Sequence, residues 1–232
     1  MTDGDRTLLE GIAQRRTRRV PARHDVIAEG EPPRFINVVV DGWGCRYKQL
    51  PNGSRQMLSL LLPGDTCDAN AYILREMDHS IGAITNMTIA EVHPEEFMAL
   101  VQGSPNITKA LWWNEMVMMA IQREWTLSLG QRSARERIAH LLCEIFFRLK
   151  VIGRCAGNAC EFPLTQIDLA DATGLTSVHV NRMLQDLRRE NMIELSGKAL
   201  TILDMPALME EAMFNPNYLH LDSGDARRVR EN

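Results

Sequence analysis

The chain has 232 residues, 45% hydrophobic and 24% charged, with 26 Lys and Arg against 30 Asp and Glu for a formal net charge of −4. That composition belongs to a globular chain long enough to bury a core without staples, and it excludes a disordered, collagenous or uniformly basic nucleic-acid-coating protein. Apolar runs such as Ile36–Val40 fall far short of the roughly 18 residues a membrane span needs, and the opening Met-Thr-Asp-Gly-Asp-Arg lacks the basic-then-apolar pattern of a secretory signal, so a cytoplasmic chain with no membrane partner is expected.

An all-β rhythm runs through the first hundred residues. Gly30, Gly42, Gly53 and Gly64 recur every eleven or twelve positions, each in a polar turn. Asp41-Gly42 and Asn52-Gly53 are tight-turn signals because glycine takes positive φ without steric cost. Between the turns lie β-favouring runs, among them Ile36–Val40 and Met57–Leu62, and Ile81–Thr85 with Thr88–Val92 reads as a further strand pair. Turns at this spacing predict a sandwich or barrel over residues 1–103.

At Ser104-Pro105 the pattern becomes helical, with serine capping and proline tolerated at the first position. Gly130 is a suitable stop, which gives a rod of roughly 36 Å over residues 104–130. From Ala110 to Ile121 only Asn114 and Glu115 are polar, too apolar for a helix covered on one side. Such a helix is expected to pack on its own β module and on a second copy of itself, with Ala110, Trp113, Val117 and Ile121 at the dimer seam and Met116–Met119 in the same core. The alternative is a helix buried in one monomeric core. Leu129-Gly130-Gln131 is a candidate hinge. Ser133 and Glu136 then form a capping box, and Ile138, Leu141, Leu142, Ile145, Phe146 and Leu149 mark one face of the next helix. Residues 151–162 read as a hairpin turning at Ala156-Gly157-Asn158-Ala159.

The most informative segment is 164–190. Thr165 with Asp168 starts a short helix with inner face Ile167, Leu169 and Ala170; Ala170 and Ala172 allow close approach of a second helix, and Gly174 turns the chain. Leu175 plugs the junction and Thr176 caps the next helix, whose Val180, Met183, Leu184 and Leu187 face inward. Ser177, Val178, Asn181 and Arg182, with His179 beside them, are left outward near its start. This is a helix-turn-helix, whose second helix enters the DNA major groove. Residues 192–203 read as a β-hairpin wing whose tip Lys198 reaches phosphate. Over 132–198 there are ten Lys and Arg against eight Asp and Glu, a locally positive balance. The competing readings are a plain helical protein, and a small-molecule sensor whose helical end binds a partner protein instead of DNA. No G-x-S-x-G, H-E-x-x-H, Walker or dinucleotide motif is present, so no enzyme is expected.

With Glu29-Gly30-Glu31, Asp41-Gly42, Leu62-Pro63-Gly64-Asp65 and Leu175 through Arg182, the chain resembles the catabolite-activator/anaerobic-regulator (Crp/Fnr) family of bacterial transcription factors over about residues 18–205. The resemblance implies an α+β protein: an N-terminal β-roll of the cyclic-nucleotide-binding, jelly-roll type over 1–103, a dimerisation helix and hinge over 104–130, a winged helix-turn-helix over 131–215 and a tail over 216–232. It implies a homodimer on a two-fold-symmetric operator of double-stranded DNA, recruiting or obstructing RNA polymerase. Arg182 matches the family's recognition arginine, which takes guanine O6 and N7 in a bidentate contact. Val178 stands where the family usually has glutamate and offers only apolar contact, for example to a thymine methyl.

Where members that bind cyclic AMP hold the ribose with a glutamate and the phosphate with an Arg-Ser pair, this chain has Ala69, His79 and Ser80. The 2′-hydroxyl thereby loses its acceptor and the phosphate its bidentate charge, with Arg75 on the intervening loop as the one candidate for compensation. Cyclic-nucleotide control is not expected. A different small ligand touching Asp68, Asn70, Tyr72, Asp78 or His79, or no ligand at all, remain open. Five scattered cysteines read as reduced thiols and not as a disulfide framework. Residues 1–44 lack the cysteine cluster of iron–sulfur members, haem through His79 or Cys67 finds little support, and no metal or other cofactor is expected. Cys45 and Cys67 read as buried inert thiols. Cys155 and Cys160 flank their turn symmetrically, which raises a thiol switch or metal site as a hypothesis.

Overall fold

Two antiparallel sheets face each other across the core of the first of two units, Met1–Met118 and Met119–Asn232, in a computed structural model that describes residues 2–69 and 73–221. One sheet has the order β1 (Thr17–Val20), β7 (Met87–Val92), β3 (Ile36–Asp41); the other runs β2 (Asp25–Ile27), β6 (Ser80–Ala83), β4 (Gly44–Gln49), β5 (Arg55–Leu61). Val20, Val39 and Ile89 of the first interdigitate with Val26, Leu61 and Ile81 of the second, around Cys67 and Met77. This is the expected β-roll. The turn glycines take positive φ, and at Gly42 nothing else fits: a Cβ there would lie 2.3 Å from the Asn86 carbonyl oxygen.

The strand pair expected at 81–92 is not a pair. β6 and β7 lie in different sheets, each central in its own. Both are buried on nearly every residue because both faces of a central strand are covered, and the chain crosses between sheets at Ile84 and Thr85, whose N–H groups donate to the Trp43 carbonyl.

Two helices stand in the region expected to be all β. α1 (Asp3–Arg15) begins at a Thr2–Asp5 capping box and α2 (Pro94–Gly103) follows β7. Ile12, Phe97 and Leu100 pack with Ile36, Val92, Ala69 and Ile107 in a second core layer. Asp5 accepts from the Ser104 hydroxyl at 2.7 Å. The Thr2 backbone N–H, then the Ser104 hydroxyl, hold its carboxyl down at about 2.

α3 (Pro105–Gln131) starts at Ser104, whose hydroxyl accepts from Ile107 N–H at 3.3 Å, and leaves the first unit for the second. It runs straight through Leu129-Gly130-Gln131, so the expected hinge and stop are helical. One glycine costs a helix only about 1 kcal/mol, and Arg132 holds the end closed by bonding Ser128 through both backbone and guanidinium. The break comes at Ser133, which caps α4 (Ala134–Val151) in the expected box with Glu136.

α4 is the hub of the second unit and is buried on all sides between Ile138 and Phe147. Its Glu144, 0% exposed, accepts from Trp125 Nε1 at 3.1 Å and from the Tyr218 hydroxyl at 2.9 Å, so the buried carboxyl is satisfied. Burial pushes the Glu144 carboxyl up. Around α4 pack α5 (Gln166–Thr173), α6 (Ser177–Arg189) and α7 (Met205–Glu211). A four-stranded sheet follows the order β10 (Ile193–Ser196), β11 (Ala199–Ile202), β9 (Ala159–Glu161), β8 (Cys155–Ala156). Both hairpins expected from the sequence are present, and they join: β9 pairs with wing strand β11. A 3-10 turn, Pro216–Leu219, opens the segment expected to be a tail; residues 222–232 lie outside the described residues. No helix among the described residues is long and apolar enough to cross a membrane.

Candidate nucleic-acid interface

The α5–α6 pair is built by local chemistry. Thr165 caps α5, accepting from Asp168 N–H at 3.2 Å while Asp168 accepts from Thr165 N–H at 2.8 Å. Gly174 closes α5 in the left-handed conformation at φ 64°, and Thr176 caps α6 by accepting from His179 N–H at 3.3 Å. Arg137 of α4 donates to the carbonyl of Thr173 at 2.7 Å, pinning the end of α5.

Val180, Leu184 and Leu187 are buried and Met183 is half-buried, so the inward face of α6 is the expected one. Val178, His179, Asn181 and Arg182 are exposed, Val178 at 79%, and Ser177 is half-buried. Asn181 is not wholly free: its side-chain oxygen accepts from Gln166 Nε2 at 3.1 Å, tying the outward faces of the two helices together. Arg182 has no side-chain partner among the described residues. Ile167, expected on the inner face of α5, is 66% exposed: Leu169 and Ala170 take the buried positions of this two-turn helix, leaving Ile167 on the rim. Gln166 and Ile167 are therefore surface residues that the sequence reading missed; position within the helix is the one signal, and the misread phase hid it. Lys198 sits at the wing tip beside Gly197, which takes φ 60°.

α3 carries the expected apolar surface on part of the expected residues, with Trp113, Met116 and Met119 among them and Met118 buried. Trp112, Trp113, Met116 and Met119 are each at least 50% exposed, with Leu127 close behind, whereas Ala110 and Val117 are half-buried. Ile121, expected at the seam, is 1% exposed within its own chain. The helix is apolar on two faces, and Ile121 lies on the one that its own chain covers.

In the β-roll, the expected pocket residues divide. His79 Nε2 pairs with Asp68 at 3.0 Å and Nδ1 with Asp78 at 2.7 Å. Burial alone would lower the His79 pKa, but hydrogen bonding and charge from Asp68 and then Asp78 raise it above the ordinary value. Arg46, which no motif signalled, lies 3.6 Å from Asp68 and donates to the carbonyls of Cys67 and Thr66 and to the Ser59 hydroxyl. Ala69 is packed in the apolar layer at 3% exposure, and the Ser80 hydroxyl accepts from Glu29 N–H at 2.9 Å. Arg75 is exposed. Asn70 and Tyr72 lie outside the described residues. The positions matched to a phosphate clamp thus hold a histidine engaged by two carboxylates and a serine already bonded to backbone. The position matched to a ribose acceptor holds a methyl group.

A family model described as a Crp-like helix-turn-helix domain matches residues 136–211, and one described as a cyclic nucleotide-binding domain matches residues 17–104. The transcriptional activator protein FnrL of Cereibacter sphaeroides is 32% identical over 199 residues, covering 84% of this chain and 79% of that protein. The nitrogen fixation regulation protein FixK of Bradyrhizobium diazoefficiens is 30% identical over 178 residues, covering 76% and 72%. The solved structure of FixK2 from Bradyrhizobium japonicum shares the fold, with a TM-score of 0.75 at 23% identity over 84% of this chain and 96% of that one. These relatives are regulators of transcription or nitrogen fixation and not enzymes, and the helical domain matches a DNA reader, so binding of a partner protein in place of DNA is not favoured. With its β-roll, its winged helix-turn-helix and this likeness along most of its length, the chain belongs to the Crp/Fnr family of DNA-binding transcription regulators.

Proposed function

We propose that two copies pair along α3 and present two α6 helices to successive major-groove faces of a two-fold-symmetric operator, about one helical turn or roughly 34 Å apart. The observation that carries this is the apolar stripe of Trp112, Trp113, Met116 and Met119, left exposed in a single chain. Arg182 reads guanine, Val178 and Asn181 meet neighbouring base edges, Ser177 and His179 lie at the groove with them, and Lys198 contacts phosphate. Thr165 and Thr176 hold the helix starts that approach the backbone. The protein acts where chromosomal DNA is, in the cytoplasm, and works on RNA polymerase at the promoter; FnrL's designation as an activator favours recruitment over obstruction.

The β-roll is proposed to work without cyclic AMP. A cyclic phosphate entering beside His79 would meet the carboxylates of Asp68 and Asp78 and no clamp arginine in the matched place. Selection of bound duplexes from a random pool, with purified protein and no added ligand, tests both statements. Enrichment of a two-fold-symmetric site is expected. Enrichment that appears only when cyclic AMP is added would overturn the second statement, and an asymmetric half-site alone would overturn the first.

A further inference from the structure

Two cysteines of the second unit are placed for chemistry that DNA reading does not use. The β8–β9 hairpin turns at Gly157-Asn158, and its register sets Cys155 opposite Cys160. On its other side β9 is bonded to the wing. Phe162 N–H donates to the Lys198 carbonyl at 2.7 Å and Ile202 N–H to the Asn158 carbonyl at 2.9 Å, with Cys160 opposite Leu200 midway between them. Alternate residues of a strand direct their backbone groups to alternate neighbours. Cys160 therefore points its N–H and C=O at Leu200 and faces Cys155 as a non-hydrogen-bonded pair. In such pairs the Cα atoms come within about 4.5 Å, inside the range of roughly 4.4–6.8 Å that a disulfide spans. Both thiols are free, and the Cys155 thiol donates to the Phe146 carbonyl at 3.7 Å, which leaves its sulfur to accept from Cys160. Cys155 is half-exposed and Cys160 buried, whereas Cys45, Cys67 and Cys143 are all buried.

We propose that Cys155 and Cys160 are a reversible oxidation site, closed to a cross-strand disulfide by hydroperoxides and felt by the wing through β9 and β11. The Cys155 thiolate attacks the terminal oxygen of the hydroperoxide and the O–O bond breaks. The departing alkoxide leaves as the alcohol after taking a proton, and Cys155 becomes a sulfenic acid. The Cys160 sulfur then attacks the sulfenic sulfur, the S–S bond forms, and the hydroxyl departs as water with the Cys160 proton. Two electrons pass from the two sulfurs to one peroxide, and a dithiol reductant reverses the reaction. The order of attack follows the surroundings. The hydrogen bond with Cys160, aided by Lys150, holds the Cys155 thiol below the ordinary range, while that same bond and burial push Cys160 up. A metal has less to hold it, since no cluster of three His, Cys, Asp or Glu suited to an ion occurs among the described residues.

The coupling to the wing rests on the DNA-binding reading; the thiol chemistry does not. The whole reduced chain is treated with hydrogen peroxide, alkylated after unfolding in denaturant so that buried thiols react, and weighed intact, then mapped by peptides. Alkylatable thiols are expected to fall from the five present to three, with Cys155 joined to Cys160 and all five restored by dithiothreitol. Cys160→Ser should trap a diketone-reactive sulfenic acid on Cys155, and Cys155→Ser should give none on Cys160. Five thiols still alkylated, a bridge to another cysteine, or the label on Cys160 overturns the site. The oxidised sample should bind the selected duplex with an affinity changed about fivefold or more, reversibly, and Cys155→Ser should not respond. Unchanged affinity with the disulfide in place overturns the coupling. Failure of the reduced protein to bind any duplex counts against the DNA reading and leaves the mass result standing.

Discussion

The interior of the β-roll and the outer face of α6 treat charge in opposite ways. Arg46, Asp68 and His79 are mostly covered and spend their polar atoms on one another and on backbone carbonyls. Val178, Asn181 and Arg182 stand in solvent, and Arg182 binds nothing else among the described residues. A charge taken from water must be paired to be tolerated, so the roll closes on itself. A charge left in water stays available to a partner that brings the opposite sign, as phosphates and base edges do. A ligand therefore adds new partners at α6 and must first displace old ones in the roll.

The largest effect should come from the surface that doubles the outer face. Trp113→Glu places a carboxylate in the exposed stripe of α3, and light scattering should show monomers. Losing simultaneous engagement of two half-sites should weaken operator binding about a hundredfold or more. A variant that stays dimeric and binds normally would mean the stripe is not the seam. Next is Arg182→Ala, expected to cost roughly 1–3 kcal/mol at one base pair of each half-site. Titration against duplexes changed at single positions checks this, and equal loss on every sequence would remove the base-reading role.

Smaller is Thr176→Ala, which deletes the cap of α6 and should lower unfolding stability by about 1 kcal/mol in a denaturant titration. Its fold and its base preferences should be unchanged. Smallest is the response of the roll to pH. The folded His79 pKa is raised above the ordinary value of about 6.5. Its contribution to stability is therefore full below that value and is lost as pH rises through the folded one. Stability of wild type relative to His79→Gln should fall on going from about pH 6 to about pH 8. If the two proteins change in parallel, the histidine does not sit charged between Asp68 and Asp78.

Legibility followed the range of the interaction. Capping boxes at Ser133 and Thr165, the left-handed Gly174, and the hairpins at Gly157 and Gly197 are decided within a few residues, and all were readable. The α1 box Thr2–Asp5, followed by Leu8, Leu9 and Ile12 at helical spacing, carries the same kind of signal beside the β rhythm. The phase of α5 is not legible in the sequence, since two turns are too few for periodicity to choose between Ile167 and its neighbours.

What the sequence alone determined is the order of elements, the turn chemistry and the outward face of α6. Each depends on periodicity, capping and backbone freedom that neighbouring residues supply to one another. What the tertiary structure decided is which sheet β6 and β7 join, that α3 continues through Gly130, that Ile121 turns into its own chain, and that Arg46 enters the Asp68–His79 cluster. These are contacts between residues distant along the chain. They are settled by how much apolar area is covered and which buried charge finds a partner, and no local pattern records either.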